Sequence, residues 1–335
     1  MKRFQELQEI LRSREYFKVV CGAGNEDPIE VRRLSLIFTL AGATAVDVSA
    51  NAEIVKAAGD GIARACGMSR ALGVVIRHRP FINVSVGIKG DPHIRKAKID
   101  PQACSGCGLC APACDQKAVD DRNWTVTEYR CVGCGNCATV CPSGAVSFFS
   151  KKAPLDRIIP ECLKAGTETL ELHAVTADEE TVMQDWETLA SLLPGNFISM
   201  CLDRSQLSDS ALIRRIGRAR ETVGDRFIVQ ADGAPMSGAR DDYHTTLQTV
   251  ATADIVQKSG IPLMLLLSGG TNSKTGRLAR MCGVRAHGVS IGTFARKMVR
   301  PAVESPDLEE NIGLLAETVA AAGKLIEDNR KFLKE

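Results

Sequence analysis

Eight cysteines fall in two copies of one spacing. The first copy is Cys104-x2-Cys107-x2-Cys110-x3-Cys114, and the second is Cys131-x2-Cys134-x2-Cys137-x3-Cys141-Pro142. Three thiolates spaced in this way can wrap one face of an iron–sulfur cube. Gly106, Gly108, Gly133 and Gly135 beside them let the backbone curl with its N–H groups toward the sulfides. In the two-cluster form of the motif the fourth cysteine of each half crosses to the other cluster. The spacing therefore assigns Cys104, Cys107, Cys110 and Cys141 to one [4Fe–4S] cluster, and Cys131, Cys134, Cys137 and Cys114 to a second.

Zinc sites use C-x2-C pairs set apart by a longer spacer, and a disulfide scaffold belongs to a short exported chain, so neither competes well. One departure from the motif is that Asp115, not proline, follows the last cysteine of the first half.

The elements around the module must place it. Outside it the chain alternates short apolar runs with amphipathic stretches: Phe17–Cys21, Ala45–Val48, Phe81–Val86, Thr169–Leu172, Phe197–Cys201, Phe227–Gln230, Leu263–Leu267 and Gly288–Ile291. Eight strands, each followed by a helix, predict an α/β fold, a (β/α)8 TIM-like barrel; an open doubly wound sheet is the alternative. A final helical region is expected from about Glu309, with a short turn of helix before it. The boundaries are residues 1–90 for the N-terminal part of the barrel, 91–150 for the ferredoxin-like module and 151–335 for the C-terminal part. The module would thus occupy the loop after the third strand, on the face where barrels build their sites.

After the seventh strand stands Ser268-Gly-Gly-Thr-Asn-Ser-Lys-Thr275, and after the eighth Ser290-Ile-Gly-Thr-Phe-Ala-Arg-Lys297. Loops in these places commonly cradle a phosphate, which makes Gly269, Gly270, Thr271, Gly292 and Thr293 the expected cofactor-binding positions. The arrangement resembles the phosphate grip of flavin mononucleotide (FMN) barrels, so FMN is one candidate cofactor; glycines that merely end strands are the plainer explanation. Polar residues gather at the other strand ends: Asn25, Asp47, Ser49, Glu171, His173, Asp203, Gln230 and Asp232. Of these, Glu171, His173 and Asp232 are the candidate acid–base groups. Cys201 ends the fifth strand without a pattern that marks an activated thiolate. Arg77, His78 and Arg79 read as a solvated loop.

With 335 residues, 44% hydrophobic content and a formal charge of +2, bulk electrostatics suggest neither nucleic acid nor a membrane surface as partner. No apolar run is long enough to span a bilayer, and the first residues read as an amphipathic helix and not an export signal, so a cytoplasmic location is expected. No dinucleotide fingerprint or Ser–His–Asp signature follows a strand.

The first strand, Phe17-Lys-Val-Val-Cys-Gly-Ala-Gly24, the segments Thr39-Leu-Ala-Gly-Ala43 and Val46-Asp-Val-Ser-Ala50, the double cluster motif and the two glycine-containing loops together resemble the LdpA family. These are iron–sulfur proteins named for light-dependent period modulation in the cyanobacterial circadian clock. The resemblance implies a ferredoxin-like module joined to the family's C-terminal region, and a role in sensing redox state and passing it to a partner protein. Two functions follow. One is a redox sensor or electron-transfer protein whose clusters are coupled to a ligand site at the barrel mouth, with a redox partner protein and a phosphate-bearing small molecule as partners. The other is a ferredoxin-linked oxidoreductase, FMN-dependent or not, that reduces a small molecule in the barrel.

Overall fold

The computed structural model describes residues 2–87, 94–150, 154–233 and 240–334. Ten strands appear in chain order: β1 (Tyr16–Val20), β2 (Ala45–Ser49), β3 (Phe81–Gly87), β4 (Arg95–Ile99), β5 (Val146–Ser150), β6 (Thr169–His173), β7 (Ile198–Leu202), β8 (Phe227–Asp232), β9 (Met264–Ser268) and β10 (Gly288–Ile291). The helices are α1 (Lys2–Arg12), α2 (Pro28–Leu40), α3 (Ala52–Met68), α4 (Asn136–Thr139), α5 (Leu155–Ala165), α6 (Glu179–Leu192), α7 (Asp209–Val223), α8 (Tyr243–Lys258), α9 (Thr275–Met281), α10 (Thr293–Glu304) and α11 (Ile312–Lys334). Eight strands close into a parallel barrel in the order β1-β10-β9-β8-β7-β6-β3-β2, while β4 and β5 form an antiparallel hairpin of their own. Closure depends on β1 pairing with β10, Tyr16 opposite Gly288. There is no room for a side chain here: a Cβ on Gly288 would meet the Tyr16 backbone. The open sheet is thereby excluded.

Alternation along each strand sorts side chains to two faces. Phe17, Val19, Val46, Val48, Ile82 and Val84 face outward and join the core formed with the helices. Inside, the barrel is layered. Tyr16, Ala45, Phe81, Phe197, Ile228 and Leu266 make an apolar floor at the N-terminal ends of the strands. Helix α1 lies across that floor, burying Leu7, Ile10 and Leu11, with Phe4 stacked on Phe197 at a ring separation of 4.7 Å. At the floor's edge, His78 lies 3.2 Å from Glu6 and Arg79 pairs with Glu168 at 3.1 Å, so the basic loop expected to be merely solvated helps fasten α1.

The short turn expected before the last helix is instead α10, twelve residues long, starting at Thr293 directly after β10. Pro301 interrupts its sequence pattern, yet the helix continues to Glu304. Elsewhere the boundaries follow local chemistry. Asp27 accepts from the amides of Ile29 and Glu30 to start α2, Ser208 caps α7, and Gly166 ends α5 in the left-handed conformation.

Candidate functional site

The module hangs on the β4–β5 hairpin, whose register sets Ala97 opposite Phe148. Its cysteines converge in two groups. Cys104, Cys107, Cys110 and Cys141 line one cavity, which Trp124 also borders. Cys114, Cys131, Cys134 and Cys137 line another. Each cavity therefore takes three cysteines from one half of the motif and one from the other. Gly106, Gly108, Gly133 and Gly135 all have positive φ, which turns the chain tightly between the sulfurs. Backbone amides already face sulfur: Ala97 N–H donates to Cys131 Sγ at 3.3 Å and Ala118 N–H to Cys114 Sγ at 3.3 Å.

Four thiols gathered in one cavity are a poor arrangement without a cation. Burial, reinforced by Cys134, Cys114 and Cys131 around it, pushes the Cys137 thiol up to about 11. Sulfur donors in fours, with amides directed at them, fit [4Fe–4S] clusters. The two groups differ in exposure. Cys107 is exposed and its three companions are half-buried, whereas Cys131 and Cys137 are buried.

The buried group abuts the barrel. Lys96 on β4, itself buried, donates from Nζ to the Gly24 carbonyl in the loop after β1 at 2.6 Å and to the Cys131 carbonyl at 2.8 Å. Glu26 N–H donates to Tyr129 O at 2.8 Å, and Arg130 pairs with Asp27 at 3.3 Å. On the far side Lys117 reaches Glu304 of α10 at 2.7 Å. These contacts fix the Cys131 loop against the barrel mouth, where Val132 becomes part of the wall.

Above the apolar floor the barrel interior is polar. Lys18 Nζ donates to Glu171 Oε2 and lies 3.9 Å from Asp47. Asn83 and Ser85 both donate to Asp47 Oδ1 at 2.5 Å, Asn83 also reaches Glu171 at 3.1 Å, and Gln230 links Ser199 and Ser290 at 3.0 Å each. Burial alone would raise Glu171, but Lys18 and His173 outweigh it and hold this carboxyl well below the usual carboxylate range. Asp47 is raised, because burial exceeds the opposing effect of Lys18. A single ammonium thus serves two carboxyls unequally.

One layer higher is the mouth, a cavity of about 80 Å³. Its base holds two hydrogen-bonded pairs: His173 Nε2 lies 3.3 Å from Glu171 Oε1, and Cys201 Sγ donates to Asp232 Oδ2 at 2.9 Å. Burial, then the neighbouring Asp232 charge, push the Cys201 thiol well up. Gly269, Gly270, Thr271, Gly292 and Thr293 line one side with the N-terminus of α10, and Thr271 Oγ1 ties the two loops by donating to Ser290 O at 2.6 Å. Arg296, in the first turn of α10, points into this corner. It is 6% exposed, donates from Nη1 to Val20 O at 2.7 Å, leaves Nε without a partner, and forms no ion pair among the described residues. A buried guanidinium beside glycine amides and a helix N-terminus has the chemistry that suits an anion.

The expected acid–base residues Glu171, His173 and Asp232 do meet here, together with Asp47. Three other strand-end residues do not join them. Asn25 bonds Cys21 O and Asp27 N, Ser49 bonds Asn25 O, and Asp203 bonds Ser205, so these shape their own loops. Gln230 lies one layer below. Lys18, Asn83, Ser85 and Arg296 were not anticipated. A flavin fits only in part: the glycine corner suits its phosphate, but Val20 and Val132 are the large apolar side chains among the described lining residues, and acids occupy the base, so no apolar slot receives an isoalloxazine ring.

The family comparisons agree with this architecture. A family model described as the light dependent period A C-terminal domain matches residues 162–328, and one described as a 4Fe-4S binding domain matches residues 97–120 and 124–147. The chain is 32% identical over 297 residues to light dependent period A of Synechococcus elongatus, across 80% of this chain and 74% of that protein. Among solved structures, a Coccidioides immitis protein assigned as a fructose-1,6-biphosphate aldolase aligns over 99% of both chains with 10% identity and a TM-score of 0.50. Ligand-free Mycobacterium tuberculosis tryptophan synthase aligns over 98% of this chain and 99% of its own, with 13% identity and a TM-score of 0.47. The likeness to the Coccidioides immitis protein speaks for the barrel fold alone. No helix among the described residues is long and apolar enough to cross a membrane.

Proposed function

The chain belongs to the light dependent period A family, and from that premise we propose a redox-responsive iron–sulfur protein in which the charge of the module is read at an anion site in the barrel mouth. The observation that carries this is the double donation of Lys96 to Gly24 and Cys131, which makes one rigid junction of the cluster loop and the mouth. Clusters in the two cysteine cavities would supply one-electron storage and transfer. The protein's own part is electrostatic. Arg296, the loop glycines and the α10 N-terminus hold an anion, a phosphate-bearing small molecule being the fitting class, and Val132 brings the buried cysteine group to the same wall. The more exposed group, with Cys107 outward, suits exchange with a redox partner protein, and the buried group suits readout inside.

Added negative charge beside the mouth weakens anion binding there. By reciprocity the anion must then make reduction harder. The test is a redox titration followed by electron paramagnetic resonance on protein purified without oxygen, with and without inorganic phosphate. The midpoint of one of two clusters should fall, by about 59 mV for each tenfold difference in phosphate affinity between the two states. Equal midpoints would remove the coupling.

A second reading, a ferredoxin-linked oxidoreductase acting on a small molecule in the mouth, is favoured by the convergence of Glu171, His173 and Asp232 on that space. His173 and Asp232 would there hold and move protons. The supernatant of acid-treated protein separates the flavin-dependent form of this reading from the rest: a stoichiometric flavin band supports it, and its absence removes it.

A further inference from the structure

We propose that Glu171, His173 and Cys201 form a three-ligand site for a divalent transition metal of zinc-like preference, separate from the cluster cysteines and open to the barrel mouth. Glu171 Oε, His173 N and Cys201 Sγ all lie within 4.8 Å of one another, and all three residues are buried. Topology makes the meeting rigid. Glu171 and His173 are two apart on β6 and so share its inner face, and His173 stands opposite Cys201 in the β6–β7 register.

The donor types narrow the ion. A carboxylate, an imidazole and a thiolate suit zinc or another borderline-soft divalent ion, whereas magnesium and calcium take oxygen alone. Outer contacts orient two of the three donors, Glu171 and Cys201. Lys18 occupies Glu171 Oε2, which leaves Oε1 facing His173 Nε2 at 3.3 Å. Asp232 Oδ2 accepts the Cys201 thiol proton at 2.9 Å, so a metal that displaces that proton finds an acceptor beside the sulfur. With three protein ligands, a further position faces the cavity, and Arg296 with Gly269 and Gly270 lines the same space. A small anion with an oxygen donor, held by Arg296 at one end and completing the metal at the other, is the ligand class this pairing would take.

The test uses the full chain with its clusters, purified without oxygen, in a Cys66→Ser, Cys282→Ser background that removes the two exposed thiols outside the module. Co²⁺ is the probe. The expected result is one Co²⁺ per chain, with thiolate charge-transfer and four- or five-coordinate ligand-field bands in the difference spectrum, displaced by Zn²⁺ while cluster absorbance stays constant. Cys201→Ser should remove the charge-transfer band, and His173→Gln should weaken Co²⁺ binding at least about tenfold. A charge-transfer band that survives Cys201→Ser, binding indifferent to both substitutions, or no stoichiometric binding would each overturn the proposal. Should Cys201→Ser fail to fold, His173→Gln and Glu171→Gln, each checked by its melting temperature, decide in its place. Cluster absorbance is followed in the same sample, so failure of the metal site is distinguishable from failure of the iron–sulfur reading.

Discussion

Lys96 and Cys131 are joined by a 2.8 Å hydrogen bond from a buried ammonium to a main-chain carbonyl, and the same ammonium holds Gly24 at 2.6 Å. Lys96→Met would keep most of the apolar stem and leave both carbonyls without that donor. We expect a loss of about 1–3 kcal/mol, visible as a lower melting temperature. The clusters should remain, while the phosphate-dependent change in midpoint should shrink. A variant that keeps the full change would show that coupling does not run through this junction.

Crossed ligation makes opposite predictions for two cysteines in the same module. Cys114 sits with Cys131, Cys134 and Cys137, and Cys141 sits with Cys104, Cys107 and Cys110. Cys114→Ala should therefore damage the buried cluster and spare the exposed one; Cys141→Ala should do the reverse. Iron content and low-temperature resonance spectra of the two variants read this directly. Loss of each variant's own-half cluster would refute the crossing.

Gly269 has φ near 64°, and a Cβ there would run into the Asp232 carboxylate and come within 2.9 Å of Gly233 N. Gly269→Ala is thus strained in its backbone and displaces an acid at the base of the mouth. Replacement of Gly292 by leucine would crowd Arg296 Nη1 and Val20, each 3.3 Å from its Cβ position. Both variants should lose the phosphate effect on midpoint without bleaching the clusters. Phosphate binding at the original strength in both would sink the anion site.

Burial pushes the Cys21 thiol up, with Arg296 opposing. The unfolded chain gives up that proton first, so the stabilisation is complete below the usual thiol range near pH 8.5 and is lost as pH rises beyond it. Cys21→Val, similar in size at a fully buried position, should flatten the decline in melting temperature between about pH 7.5 and about pH 9.5 relative to the parent. An unchanged pH profile would assign the alkaline decline to other groups.

Much of this was legible in the chain, for physical reasons that also explain the omissions. The cysteine motif is local: ligands two and three residues apart declare themselves without a fold. The barrel strands were visible because outward-facing Phe17, Val19, Val46 and Val48 alternate with their neighbours. That same alternation concealed Lys18, Asn83 and Ser85. A polar residue between two apolar ones reads as facing solvent, and only closure of the sheet turns that face into an interior. Arg296 follows the glycines of the last loop, and nothing in the sequence marks the burial that α10 gives it. Asn25, Ser49 and Asp203 drew notice as strand-end polar groups, but their side chains satisfy nearby backbone and hydroxyl groups, a competition that sequence alone does not rank. Cys201 carried no signal of its own, since its partners come from β6 and β8 and depend on register.

Helix α1 acts as a stopper. With Leu7, Ile10, Leu11 and Phe4 wedged under the apolar floor, the lower end of the barrel is sealed, and the polar interior communicates with the outside at the end where the module stands. On the proposed reading, small molecules and electrons would share one doorway. A protein docking there to exchange electrons would also shade the opening, and its presence would then set when the contents of the barrel could be traded.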